Sequence, residues 1–250
     1  MDILLEVEGL SKKFGGLDAV FDLDFTVEEG EIVGIIGPNG AGKTTFFNLL
    51  TGFLEPTTGD IAFKGENIVK KKPNKIVDRG ISRTFQIVRP FLNMTVLENV
   101  LVPLQSPKNR KVNKRRMENQ RRAAGLLEQV GVAEKMLFLA GDLSHGDLKR
   151  LELARSLAAK PELLLLDEPF SGLATKEIAA LSDLIKNLNE DGLTIMIIEH
   201  KLRELMKLVK RVLTLNFGVK IADGTPEEIA KNEAVIEAYL GKGGEKFVTS

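Results

Sequence analysis

The chain has 250 residues, with 35 basic and 35 acidic side chains that cancel to zero formal charge, 43% apolar residues and no cysteine. A chain of this make-up buries roughly 75% of its unfolded surface, which excludes a disordered or fibrous protein, and lacking cysteine it holds no disulfide scaffold, zinc-thiolate site or thiol nucleophile. Neutrality gives no general attraction to nucleic acid or anionic lipid. The first ten residues carry acids and no base, unlike a secretory signal, and the purest apolar runs, Leu163–Leu166 and Ile195–Ile198, are far short of the ~20 residues of a membrane span.

In chain order, Ile3–Glu8, Phe21–Val27 and Ile61–Lys64 read as strands, punctuated by turn signals at Gly15-Gly16, Glu29-Gly30 and Thr57-Thr58-Gly59-Asp60. Ile32-Val33-Gly34-Ile35-Ile36 is a nearly unbroken apolar run, which predicts a strand buried on both faces of a parallel sheet. A glycine-rich loop and a helix from Gly42 to about Thr51 follow it. From Val88 to about Lys160 the periodicity turns helical. The last third alternates: strands at Leu163–Leu166, Thr194–Ile198 and Val212–Leu215, helices at Thr175–Asn189 and Leu202–Val209. That alternation predicts an α/β fold with helices on both sides of a mostly parallel sheet. Lys108–Arg122 holds eight basic residues and one acid, Glu118. It reads as a solvated helix face, since no aromatics interleave for base stacking; the other reading is a patch for nucleic acid or lipid headgroups.

Gly37-Pro38-Asn39-Gly40-Ala41-Gly42-Lys43-Thr44 matches G-x-x-x-x-G-K-[ST] and stands after the buried strand, opening a helix. Its glycines let backbone N–H groups converge on phosphates, and the helix N-terminus adds positive potential. This predicts a P-loop NTPase in which Lys43 reaches the β- and γ-phosphates and Thr44 ligates Mg²⁺. Over a hundred residues later, Leu163–Leu166 ends in Asp167-Glu168. Asp167 is placed to hold Mg²⁺, and Glu168 to polarise a water for attack on phosphorus. No N-K-x-D string follows an apolar strand, which argues against a GTPase.

Leu143-Ser144-His145-Gly146-Asp147 then leads into a helix, with Ser144 and Asp147 spaced as an S-x-x-D capping box. With this element the sequence resembles the ATP-binding cassette (ABC) transport ATPases, over residues 3 to 241. The resemblance implies one cassette domain over 1–241: a nucleotide-binding core over 1–87 and 155–241 with an N-terminal antiparallel β subdomain, an inserted helical subdomain over 88–154, and a tail over 242–250. It implies that ATP and Mg²⁺ lie between two cassettes paired head to tail. Residues Gly37 to Thr45 (Thr44 and Thr45 closing the loop) and the adenine-stacking Phe14 hold the nucleotide in one cassette. Leu143, Ser144, His145, Gly146 and Asp147 of the other form the signature that meets this nucleotide in trans, with Ser144 and the Gly146 backbone binding its γ-phosphate. Gln86 meets Mg²⁺ and water, Glu168 is the general base, and His200 contacts the γ-phosphate. Without the resemblance, Phe14 reads as core and His200 as a strand-end histidine.

Lys13-Phe14-Gly15-Gly16-Leu17, Arg83-Thr84-Phe85-Gln86, Glu168-Pro169-Phe170-Ser171-Gly172-Leu173, Ile198-Glu199-His200, Gly224-Thr225-Pro226-Glu227-Glu228-Ile229 and Val235–Gly241 further look like the branched-chain (hydrophobic) amino acid importers. The likeness implies a peripheral subunit at the cytoplasmic face of the cell membrane. Its partners would be a second ATPase subunit, the same or different, and membrane permeases docking on the stretch from Gln86 to Val100; no nucleic acid is implied. Phe91, Leu92 and Met94 in that stretch read equally as helical-segment core. Two departures stand out: Asp147 where the family signature L-S-G-G-Q ends in glutamine, and Ala174 where it carries aspartate or asparagine. Together they suggest one weakened composite site in a heterodimer, unless Asp147 only caps its helix. Rival readings are an exporter subunit, a soluble ABC ATPase acting on nucleic acid or ribosomes, and a nucleotide-dependent clamp without turnover.

Overall fold

The computed structural model describes residues 2–84, 90–105 and 116–240. Strands β1 (Ile3–Phe14) and β2 (Leu17–Glu28) form an antiparallel hairpin around the turn Gly15-Gly16. β3 (Ile32–Ile36) then leaves this sheet to start a second one, and the glycine-rich loop passes into α1 (Lys43–Leu50). β4 (Thr58–Phe63) and the short β5 (Glu66–Asn67) return to the first sheet and complete its order β2-β1-β4-β5. Thr58–Asp60, a turn signal in the sequence, is therefore strand. The irregularity is taken up by a bulge where β1 pairs with β4, between Glu8 and Ser11. The same kind of shift lets β1 run six residues beyond the expected Glu8.

α2 (Pro73–Arg79) leads into β6 (Ile81–Arg83). The helical stretch contains α3 (Val96–Leu104), α4 (Arg116–Gln129) and α5 (His145–Ala158). Between α4 and α5 the helical expectation fails: residues 130–144 carry only two short 3₁₀ turns. They are instead zipped to the segment before α3, with Val96 N–H donating to the Phe138 carbonyl and Ala140 N–H to the Met94 carbonyl, each at 2.9 Å. Backbone pairing with a distant segment leaves no local periodicity to read.

β7 (Leu163–Asp167), α6 (Thr175–Glu190), β8 (Thr194–Ile198), α7 (Leu202–Leu208) and β9 (Arg211–Asn216) follow as the alternation predicts. β10 (Val219–Gly224), α8 (Pro226–Lys231) and α9 (Glu233–Leu240) close the described chain. The second sheet runs β10-β9-β3-β8-β7-β6, parallel throughout except for the β9–β10 hairpin.

The four leucines of β7 are all fully buried, and alternation divides them. Leu164 and Leu166 face a core shared with α3, α5 and α6; Leu163 and Leu165 face one shared with β1, β2 and α1. β3 and β8 divide in the same way. Each such side chain contributes ~1.5–3 kcal/mol by leaving water, so the central strands stand rigidly between two cores. Their C-terminal ends point to the loops that carry the chemistry.

Candidate nucleotide site

The phosphate loop starts at Gly37, with φ of +150°, where a Cβ would stand 2.1 Å from the Leu215 carbonyl oxygen. No other residue fits between this turn and β9. The loop then wraps the Lys43 ammonium, which donates to the carbonyls of Gly37 (2.6 Å) and Pro38 (3.0 Å). Burial lowers the Lys43 pKa, while the charges of Glu168 and Asp167 oppose that shift. These three side chains therefore share one electrostatic environment, although 124 and 125 residues of chain separate them.

Asp167 ends β7 only 3% exposed and is paired with the equally buried Arg83 at 2.6 Å. Arg83 in turn donates to the Asn48 side chain at 2.7 Å, so β6, β7 and α1 meet around this carboxylate. Glu168 follows with φ of +50°, a backbone region that L-residues occupy at a cost and that clusters at functional sites. Its amide N–H donates to the Ile198 carbonyl at 2.9 Å, and its Oε1 lies 3.1 Å from His200 Nε2.

Phe14, Asn39, Gly40, Ala41, Gly42, Lys43, Thr44, Thr45, Glu168 and His200 line one cleft of about 420 Å³, a size suited to a small ligand. Gly37 and Pro38 form the turn that enters it. The structure thus brings together most of the residues expected to hold nucleotide. Phe14 is not core: it is 46% exposed at the mouth. His200 is more than a strand-end histidine, because it faces Glu168. Gln86 lies outside the described residues, as do Lys108–Arg115 of the basic stretch. Within that stretch Arg122 is engaged by the fold, donating to the Ala158 carbonyl at 3.2 Å.

Leu143, Ser144, His145, Gly146 and Asp147 do not line this cleft. Leu143 packs in the core, and Ser144 caps α5, its hydroxyl accepting from the Asp147 N–H at 3.2 Å. The reciprocal half of the expected capping box is absent. The Asp147 carboxylate instead accepts from the Ser144 hydroxyl (2.7 Å) and pairs with Lys135. His145 Nε2 contacts the Ser171 carbonyl at 3.1 Å, and a Cβ on Gly146 would meet the Glu177 carboxylate at 2.4 Å. The signature residues are therefore packed against the segment that follows Glu168. Ala174 carries no capping side chain; Glu177 accepts from its N–H at 2.8 Å in compensation.

Four contributors had no role assigned from the sequence. Glu199 is buried and accepts from the N–H groups of Phe170 (2.6 Å), His200 (3.0 Å) and Lys201 (3.3 Å), tying the His200 loop to the Glu168 loop. Burial raises its pKa against those bonds. Tyr239 of α9 accepts from the Gly37 N–H at 2.6 Å. Lys135 neutralises Asp147. Phe217 lines the cleft from the tip of the β9–β10 hairpin. An acid beside the histidine, an aromatic in a Phe-Gly turn and the importer-like stretch Val235–Gly241 around Tyr239 were the available signals; Lys135 had none.

Comparisons with known proteins identify the family. Residues 20–171 match the ABC transporter family model, and residues 219–245 match that of the branched-chain amino acid ATP-binding cassette transporters. The high-affinity branched-chain amino acid transport ATP-binding protein LivG of Salmonella typhimurium is 43% identical, over 96% of this chain and 98% of that protein. The ADP conformation of an ATP-binding cassette of an ABC transporter superimposes with a TM-score of 0.87 at 31% identity, covering 97% of this chain and all of that one. A dimeric post-hydrolysis cassette bound to ADP and Pi gives 0.79 at 25% identity, covering 89% and 99%. A chain that matches these proteins over nearly its whole length, in sequence, fold and C-terminal segment, belongs to the ABC transporter family, as an ATP-hydrolysing cassette of its branched-chain amino acid group.

Proposed function

We propose that the chain is the energy-coupling ATPase of an importer for branched-chain or other hydrophobic amino acids. The observation that carries the catalytic half is the Glu168–His200 contact in the same cleft as Lys43. Glu168 takes a proton from the attacking water, His200 orients Glu168 and meets the γ-phosphate, and Lys43 releases its two carbonyls for the β- and γ-phosphates. Phe14 stacks on adenine. The similarity to LivG supports the cargo class.

Mg²⁺ suits the donors present. No cluster of three or more acidic or histidine ligands occurs among the described residues. Asp167 and the exposed Thr44 would supply the one or two protein oxygens that Mg²⁺ uses beside phosphates and water. Gln86 is assigned to the same ion from the family pattern. The bound ion would screen charge on the phosphates.

The dimeric relative supports a sandwich in which Ser144 and Gly146 meet the partner's nucleotide. No described helix is long and apolar enough to cross a membrane, and in this reading permease subunits hold the chain at the cytoplasmic face. The test is a Glu168→Gln variant. It should bind Mg-ATP, lose turnover by at least about 10³-fold, and accumulate as a dimer in size-exclusion chromatography. Turnover at the wild-type rate overturns the assignment of the base. A monomer at every ATP concentration overturns self-pairing and requires a different partner cassette.

A further inference from the structure

We propose that Phe217 is a second base-stacking residue of the nucleotide cleft, contributing an aromatic surface to the purine in addition to that of Phe14. The inference rests on the nucleotide reading of the cleft and deepens it. Three observations carry it. Phe217 is 82% exposed, the largest exposure among the big apolar side chains described. It sits at φ of +44° in a two-residue hairpin turn between Asn216 and Val219, followed by Gly218 at +81°. Such a turn selects asparagine or aspartate before glycine, so phenylalanine there opposes both the backbone and the solvent. Finally, its ring lines the same cleft as Phe14 and the phosphate loop.

The hairpin tip is also locked in place. Gly218 N–H donates to the Ala41 carbonyl of the phosphate loop at 3.1 Å, and its own carbonyl accepts from Phe21 N–H at 2.9 Å. A Cβ on Gly218 would fall 2.9 Å from the Asp18 carbonyl oxygen. The turn is thus wedged between the phosphate loop and the residues after Phe14, which fixes Phe217 at a set reach from where phosphates bind. A ring on a locked backbone has only its two side-chain torsions to lose on stacking, and base–aromatic stacking tolerates any purine face.

The experiment is calorimetry on the purified full chain with Mg-ADP and Mg-pyrophosphate, probes that are not hydrolysed by it. Phe217→Asn should weaken Mg-ADP about tenfold, leave Mg-pyrophosphate within about twofold, and melt no lower than wild type, because asparagine suits the turn. Phe217→Trp should keep Mg-ADP affinity within about threefold. An unchanged Mg-ADP affinity in Phe217→Asn overturns the inference, as does an equal loss for pyrophosphate, which would mean that the turn acts through the phosphate loop. A tryptophan variant as weak as the asparagine variant also overturns stacking. Failure of the wild type to bind Mg-ADP at all would instead overturn the nucleotide reading on which the inference stands.

Discussion

Asp147 is the sharpest departure from the family signature, and its neighbours decide what it does. A lone carboxylate close to a polyphosphate would repel it by ~1 kcal/mol at 4 Å even in water. Here burial works against the charged form, but hydrogen bonds from Lys135 and Ser144 and the Lys135 charge outweigh it and hold the Asp147 pKa below its ordinary value. The pair is neutral within the chain, which takes away the electrostatic reason for expecting Asp147 to weaken a composite site. Removing only the cation should. Lys135→Met is expected to slow ATP turnover of the assembled dimer about 3- to 10-fold, and adding Asp147→Gln should restore it. A double variant as slow as the single one counts against the charge argument. The lowered pKa also has a sign. The pair's stabilisation is present above the ordinary aspartate range, near ~4, and is lost as pH falls through the lowered folded value. Denaturation midpoints of wild type and Asp147→Asn should therefore differ at pH 6 and converge in strong acid.

At the scale of elements, α9 closes a long-range circuit. Its Tyr239 accepts a hydrogen bond from Gly37, 202 residues earlier, at the turn that opens the phosphate loop. Burial pushes the tyrosine pKa up to about 12 despite that bond, so the hydroxyl stays protonated at any physiological pH. Tyr239→Phe would leave a buried N–H without its acceptor, at a cost of ~1–3 kcal/mol. Because Tyr239 touches the loop and not the reacting atoms, the expected signature is a KM for ATP raised about 5-fold with kcat within about twofold. A fall confined to kcat would show that Tyr239 does something other than position the loop. The same circuit explains what could be read in advance. Lys43, Thr44, Asp167 and Glu168 were legible because strand, loop and helix succeed one another locally, so spacing encodes geometry. Tyr239 acts on a group 202 residues away and Phe217 sits at a hairpin tip against the phosphate loop, both through the sheet order, whereas Lys135 reaches Asp147 across a segment without periodicity. α9 and the exposed edge strand β10 were missed for a related reason. Short elements that pack on an already formed sheet need no strong periodicity of their own.

At the scale of the whole molecule, the cleft and the helical region share a core. Leu164 and Leu166, on the strand that ends in Asp167 and Glu168, pack in the same cluster as Val96 and Val100 of α3 and Leu151 of α5. A close-packed interior does not deform gradually, so a shift at the Glu168 strand is passed on to α3 and to the segments zipped before it. Those segments expose Phe91, Leu92, Leu137, Phe138 and Leu139, each between 45% and 75%. The reading of Phe91 and Leu92 as core therefore fails, and backbone bonds hold the two segments that carry these exposed apolar side chains next to each other. Exposed apolar side chains gathered in one region mark protein contacts, and here they flank α3, which shares its core with the strand that ends in Asp167 and Glu168. If membrane subunits dock on this region, Leu137→Glu with Phe138→Glu should abolish their co-purification with this chain. ATP turnover of the isolated chain should stay within about twofold, because neither residue lines the cleft. Retained co-purification would show that the region serves some other contact. Lost turnover in the isolated chain would show that the region supports the fold rather than a partner.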